Sequence, residues 1–156
     1  MYRSFIALLA ILVLSMFSSA GSRYQANRFE WKDWNVAYPE AVENQKILLV
    51  DIYTDWCGWC KKMDRDTYAK PRIQNKIAGD FIAVKFNPEK SRKYLVNGKS
   101  FNGKELLSML VQGKRIGYPT TVFLVPQDGK FKPVQVSGYQ GPDQFEKTLN
   151  QVMAMQ

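Results

Sequence analysis

The chain of 156 residues contains no histidine, only two cysteines, and 14 acidic side chains against 22 lysines and arginines. Without histidine there is no Ser-His-Asp triad, no Cys-His nucleophile pair and no histidine-ligated metal. Two cysteines cannot build a disulfide-dense scaffold or a four-cysteine zinc site within one chain. Neither a metal nor a cofactor is therefore expected. Runs of like charge are also missing. The basic residues fall in ones, twos and threes, as in Lys61-Lys62 and Lys90-Ser91-Arg92-Lys93. A net charge of +8 without a clustered patch reads as a solvated basic surface rather than a nucleic-acid footprint. With 46% apolar and 13% aromatic residues, the composition is that of a packed globule, which excludes disorder as the main state.

The N-terminus stands apart. Arg3 precedes an apolar run from Phe5 to Phe17, followed by Ser18-Ser19-Ala20. This charged, apolar, small-residue order predicts a secretory signal peptide over 1–20, cut after Ala20. About 13 apolar residues are too few to span roughly 30 Å of hydrocarbon comfortably. An uncleaved N-terminal anchor is the competing reading. The remainder, 21–156, is expected to be one extracytoplasmic domain, monomeric and without a membrane span.

Within that domain, Ile47–Tyr53 is almost continuously apolar, as in a strand buried on both faces. A helix is expected from Cys57 to Arg65, and a second from Pro71 to Ile77. Phe81–Phe86 and Thr120–Val125 read as further strands. Residues 87–103 read as an inserted polar loop, followed by helical spacing through Leu106, Leu107, Leu110 and Val111. The turn chemistry of Pro126-Gln127-Asp128-Gly129 predicts an antiparallel strand at Phe131–Val136. Pro142 opens a last helix with Phe145, Leu149 and Val152 on one face. Phe29–Trp34 is a short edge segment, and Trp31, Trp34 and Tyr38 read as packing residues. The class is α/β.

The chemistry is concentrated in Asp55-Trp56-Cys57-Gly58-Trp59-Cys60-Lys61-Lys62. Both cysteines lie in one C-x-x-C between a buried strand and a helix start. Free N–H groups and the helix dipole favour a thiolate at Cys57. Cys60, one turn on, is placed to attack a bond made by Cys57. A purely structural disulfide is the bland alternative, but so small a loop gains only about 2 kcal/mol. A metal shared between two chains is another. Asp51 is costly inside an apolar strand, and its carboxyl should be pushed up unless a cation pairs with it. Lys85 is the natural partner; the bland alternatives are a partly wet aspartate at a strand end and a lysine on an edge or snorkelling outward. Pro119, entering a strand, reads alone as a trans turn. Trp59 and Tyr118 are expected to bracket the reactive sulfur as an apolar docking surface, or Trp59 simply packs on its own helix.

The stretch Val50-Asp51-Ile52-Tyr53-Thr54-Asp55-Trp56-Cys57-Gly58-Trp59-Cys60-Lys61, then Val84-Lys85-Phe86-Asn87, Gly117-Tyr118-Pro119-Thr120-Thr121-Val122-Phe123 and Gly138 together resemble the thioredoxin-fold family. The pattern is most similar to that of secreted or periplasmic members reading W-C-x-W-C-K-x-M, here ending at Met63. The resemblance implies a central mixed sheet flanked by helices. It implies Cys57 as nucleophile, Cys60 as resolving thiol, Asp51 as the buried acid that helps deprotonate it, and Lys85 as that acid's neighbour. It implies Pro119 as a cis-proline facing the cysteines and Trp56 as the flanking aromatic. Substrates would be protein disulfides or thiols, with a separate redox partner resetting the pair. Trp59 departs from the proline of thioredoxin itself. With no histidine between the cysteines, a reductase is favoured over a thiol oxidase or isomerase. A non-enzymatic binding or adaptor domain is the remaining alternative.

Overall fold

The computed structural model describes residues 29–156. The expected signal peptide and its cleavage site lie outside the described residues. Five strands form one mixed sheet in the order β1-β3-β2-β6-β7. These are β1 (Trp31–Lys32), β2 (Ile47–Ile52), β3 (Phe81–Phe86), β6 (Thr120–Gln127) and β7 (Lys130–Ser137). β1, β3 and β2 run parallel, and β6 and β7 run antiparallel to their neighbours. The helices are α1 (Trp34–Asn44), α2 (Gly58–Met63), α3 (Pro71–Asp80), α4 (Gly103–Leu110) and α5 (Pro142–Met153).

Strand alternation divides the core in two. Leu48, Val50 and Ile52 of β2 pack with Trp34 and Ala37 of α1 and Leu106 and Leu110 of α4. Ile47 and Leu49 face the other way, onto Met63 of α2, Ile73 and Ile77 of α3, and Phe145 and Leu149 of α5. All six residues of β2 are buried, because both sheet faces are covered. The same alternation puts Asp51 on the Ile47–Leu49 face, the one covered by α2. Phe81, Ala83 and Lys85 of β3 share that face, as do Thr121, Phe123 and Val125 of β6. The register sets Asp51 opposite both Lys85 and Thr121. An otherwise apolar sheet face therefore ends in a polar row of three, beside the cysteine-bearing helix.

Three expectations need correction. The helix predicted to reach Arg65 stops at Met63 and passes into a π-helical turn, Asp64–Tyr68. That looser winding swings Asp64 and Tyr68 towards the sheet. The second predicted helix runs on to Asp80 rather than stopping at Ile77. The inserted segment is not all loop: Tyr94–Val96 (β4) and Lys99–Phe101 (β5) form an antiparallel hairpin. Its turn is Asn97-Gly98, both at positive φ (49° and 77°), the conformation two-residue hairpins require. Asp128-Gly129 does the same between β6 and β7.

Candidate active site

β2 ends at Ile52, and the turn Tyr53–Trp56 carries the chain to Cys57. Cys57 is the N-cap of α2: its backbone is extended and its Sγ accepts the N–H of Cys60 at 3.0 Å. Glycine at position 58 leaves the first turn without a side chain, and its Cβ site is open space. Cys57 and Cys60 are joined by a disulfide. Both are almost fully buried, at 4% and 3% exposure. A partner must therefore approach through whatever flanks them.

Two aromatic pairs provide the flanks. Trp56, 67% exposed, meets Tyr118 edge-on, with ring centroids 5.6 Å apart. Its indole N–H donates to the Glu89 carboxylate at 3.2 Å. Trp59, 58% exposed, packs on Tyr139 at 5.5 Å, and Lys62 lies 5.2 Å from the Tyr139 ring centre. Of the two aromatics expected to bracket the sulfur, Tyr118 pairs with Trp56 and Trp59 pairs with Tyr139. The Tyr118–Pro119 peptide is cis, and the Pro119 carbonyl accepts the Gly138 N–H at 2.8 Å. Asp55 pairs with Lys90 at 2.6 Å and accepts from Asn87 at 3.2 Å, and its carboxyl is held low chiefly by the hydrogen bond from Lys90. The 87–90 segment is thereby pinned to the cysteine turn.

On the sheet side, the two Asp51 oxygens have different partners. Lys85 Nζ lies 3.0 Å from Oδ2, and the Tyr68 hydroxyl donates to Oδ1 at 3.2 Å. Lys85 also contacts Asp64. Burial pushes the Asp51 carboxyl above its usual range, more than Lys85 pulls it down. Burial alone would lower the Lys85 ammonium. The carboxylates of Asp51 and Asp64 outweigh it and hold Lys85 above its usual value. Tyr68 is pushed well up, first by burial and then by the neighbouring Asp51. Lys85 reaches water through a cleft of about 610 Å³, lined by Trp31, Tyr53, Asn87 and Arg92 among others. A second cleft, about 310 Å³ between Trp34, Tyr38, Met109 and Phe131, holds neither cysteine nor any member of the Asp51 cluster. Trp34 is buried core, and Tyr38 stacks on it.

Sequence reasoning missed five contributors: Asp64, Tyr68, Thr121, Glu89 and Tyr139. Asp64 and Tyr68 sit seven and eleven residues after Cys57. They are four residues apart and share one face of the winding, but nothing in the sequence says that this face turns onto the sheet end beside Asp51. Thr121 is found only once the β2–β6 register is known. Glu89 lay inside the segment read as an insert.

The comparisons agree with this geometry. The family model of the thioredoxin-like domain matches residues 34–153. The chain belongs to the thioredoxin-like domain family, and its Cys57–Cys60 pair is the C-x-x-C of that family's disulfide oxidoreductases. The thiol:disulfide interchange protein DsbD of Photorhabdus laumondii is 26% identical over 129 residues, which is 82% of this chain and 20% of that protein. DsbD of Tatumella citrea is 28% identical over 109 residues, 70% of this chain and 17% of that protein. The chain thus spans about a fifth of the length of these relatives. Among solved structures, a thioredoxin from Thermus thermophilus superposes with a TM-score of 0.63 at 21% identity, covering 80% of this chain and 87% of that one. A structure described as DsbH oxidoreductase gives 0.61 at 17% identity, covering 88% and 93%. These two share the fold.

Proposed function

We propose that the protein reduces disulfides in polypeptide partners outside the cytoplasm. The observation that carries this is a helix-capping Cys57 together with the buried Asp51 and its partner Lys85 on the sheet face that α2 covers. When the pair is reduced, the N–H that Cys57 Sγ accepts favours its thiolate. That thiolate attacks one sulfur of a substrate disulfide, forming a mixed disulfide and expelling the other sulfur as thiolate. Cys60 gives its proton to Asp51, and its thiolate attacks Cys57 Sγ. The Cys57–Cys60 disulfide closes, and the second substrate sulfur leaves as thiolate. The substrate gains two electrons and the cysteine pair loses two. A separate dithiol donor returns the pair to its reduced form.

Exposed Trp56 and Trp59, with Tyr118 and Tyr139 behind them, offer apolar flanks to an extended segment next to Pro119. Lys85 keeps Asp51 available as a base by countering its desolvation. The extracytoplasmic setting rests on the N-terminal 1–20 pattern. Among the described residues, no helix is long and apolar enough to cross a membrane. The reductive direction rests on the absence of histidine between the cysteines and is tested by the potential of the pair against glutathione. A reductase requires a value below about −200 mV; one near −120 mV, where strong oxidants lie, would reverse the direction with the same residues in place.

A further inference from the structure

We infer that Thr121, Tyr68 and Asp51 form a hydrogen-bond chain whose direction reverses when Asp51 takes up a proton, making Tyr68 and Thr121 positioning residues for the acid–base step. The inference rests on the reading of Asp51 as acceptor of the Cys60 proton. The chain itself is a matter of geometry. The Tyr68 oxygen lies 3.2 Å from Asp51 Oδ1 and 3.4 Å from Thr121 Oγ1. Tyr68, Asp51 and Thr121 are all buried, at 3%, 1% and 2% exposure, so no bulk water replaces a lost partner. Either hydroxyl of the Tyr68–Thr121 contact can be the donor.

A tyrosine hydroxyl has one proton to give and can accept another. With Asp51 ionised, Thr121 donates to Tyr68 and Tyr68 donates to Oδ1. Lys85 holds Oδ2 throughout. With a proton on Oδ1, that contact must invert, because two donors cannot face each other. Asp51 then donates to Tyr68, and Tyr68 turns its own hydrogen to Thr121 Oγ1. In each state every oxygen of the chain keeps a hydrogen-bond partner within it. The carboxyl can thus change charge inside the protein while the Tyr68 hydroxyl keeps a donor or an acceptor on the side it needs, so that it is never left to bear the full desolvation of an unpaired group.

The groups facing Asp51 are few. β3 supplies Lys85, the π-turn supplies Asp64 and Tyr68, and β6 supplies Thr121. On β2's own continuation, Tyr53 places its ring 5.0 Å from Lys85 Nζ. Cys57 caps α2 and Cys60 lies on it. From α5, Phe145 packs its ring edge-on to Tyr68 at 5.2 Å and carries no charge.

The two hydroxyls make opposite predictions. Tyr68→Phe removes the donor to ionised Asp51, so the carboxyl must titrate at higher pH. Thr121→Val removes the acceptor that Tyr68 needs when Asp51 is protonated, so the carboxyl must titrate at lower pH. Both substitutions keep the shape of the side chain; in Tyr68→Phe the ring itself stays, and with it the contacts to Trp31 and Phe145. The measurement is the pH titration of the Asp51 carboxyl carbon by NMR in the oxidised full chain, assigned by its disappearance in Asp51→Asn. Displacements in opposite directions, each about threefold to tenfold in the ionisation constant, are expected. Unmoved midpoints, or displacement of both in the same direction, would overturn the chain. If Tyr68→Phe does not fold, Thr121→Val alone decides by the sign of its shift. The pH profile of mixed-disulfide resolution is measured in parallel. Opposite NMR shifts that this profile does not follow would leave the chain standing and remove Asp51 as proton acceptor.

Discussion

Replacing Lys85 with methionine removes the cation from Asp51 while keeping an unbranched side chain of similar length. Asp51 is 1% exposed, so it is left either as an unpaired buried carboxylate or as a protonated acid. Breaking a buried pair from one side costs about 3–5 kcal/mol. Lys85 itself is 20% exposed along its side chain, so water can partly take its place and the lower end applies. About 3 kcal/mol at pH 8 corresponds to a fall in Tm of roughly 12 °C for a domain of this size. The pH dependence identifies the cause. Asp51 already titrates above its usual 3.8 in the folded state. The native state therefore binds more protons than the unfolded chain between that value and the raised one, and stability falls as pH rises through this window. Without Lys85 the window extends further upward. The ammonium does not titrate below pH 8, since its folded value lies above the usual 10.5. The variant should thus lie close to the parent at pH 4 and well below it at pH 8. Thermal unfolding followed by circular dichroism at both pH values, with the Asp51→Asn and double variants, closes the cycle. The double variant should recover most of the loss. An equal penalty at pH 4 and pH 8, or no recovery in the double variant, would refute the idea that the pair's charge is what matters.

Three other outcomes are expected. Gly103, the first residue of α4, lies so close to the Pro88 carbonyl that a Cβ there would overlap its oxygen. Gly103→Ala should therefore cost about 1–3 kcal/mol and displace the 87–90 segment, read as amide shifts at Trp56 and Glu89 in an NMR spectrum. The oxidised form should be more stable than the reduced form by roughly 2 kcal/mol from loop closure alone, measured by urea unfolding with and without reductant. Asp51→Asn should leave mixed-disulfide formation largely intact and slow its resolution by about 10²–10⁴-fold near neutral pH, resolved by quenched-flow trapping.

The apolar β2 run, the proline helix starts and the Asp128-Gly129 hairpin were legible because each rests on local physics. Burial on both faces removes polar residues from β2, proline suits a first helical turn, and Asp-Gly accepts positive φ. Asn97-Gly98 carried the same local signal, yet the surrounding polar and basic residues masked it as a loop. The cysteine pair was legible for the same reason, since both thiols lie within one turn. The Asp51 cluster was legible only as far as Lys85. Its remaining members depend on how the turn after α2 docks on the sheet and on the β2–β6 register, which is set by packing across 70 residues of chain. Of the flanks, Trp56, Trp59 and Tyr118 were named from the sequence and their partners were not. Tyr139 and Glu89 reach Trp59 and Trp56 from loops whose course tertiary contacts decide.

The most direct test of the central claim is a single turnover of the reduced chain with a disulfide-bonded polypeptide, quenched with acid and resolved by mass spectrometry. The parent protein should release reduced polypeptide and end with Cys57 and Cys60 joined. Cys60→Ser should stop at a mixed disulfide on Cys57, and Cys57→Ser should do nothing at a comparable rate. Reduction by Cys57→Ser at the parental rate, or a mixed disulfide found first on Cys60, would contradict the account.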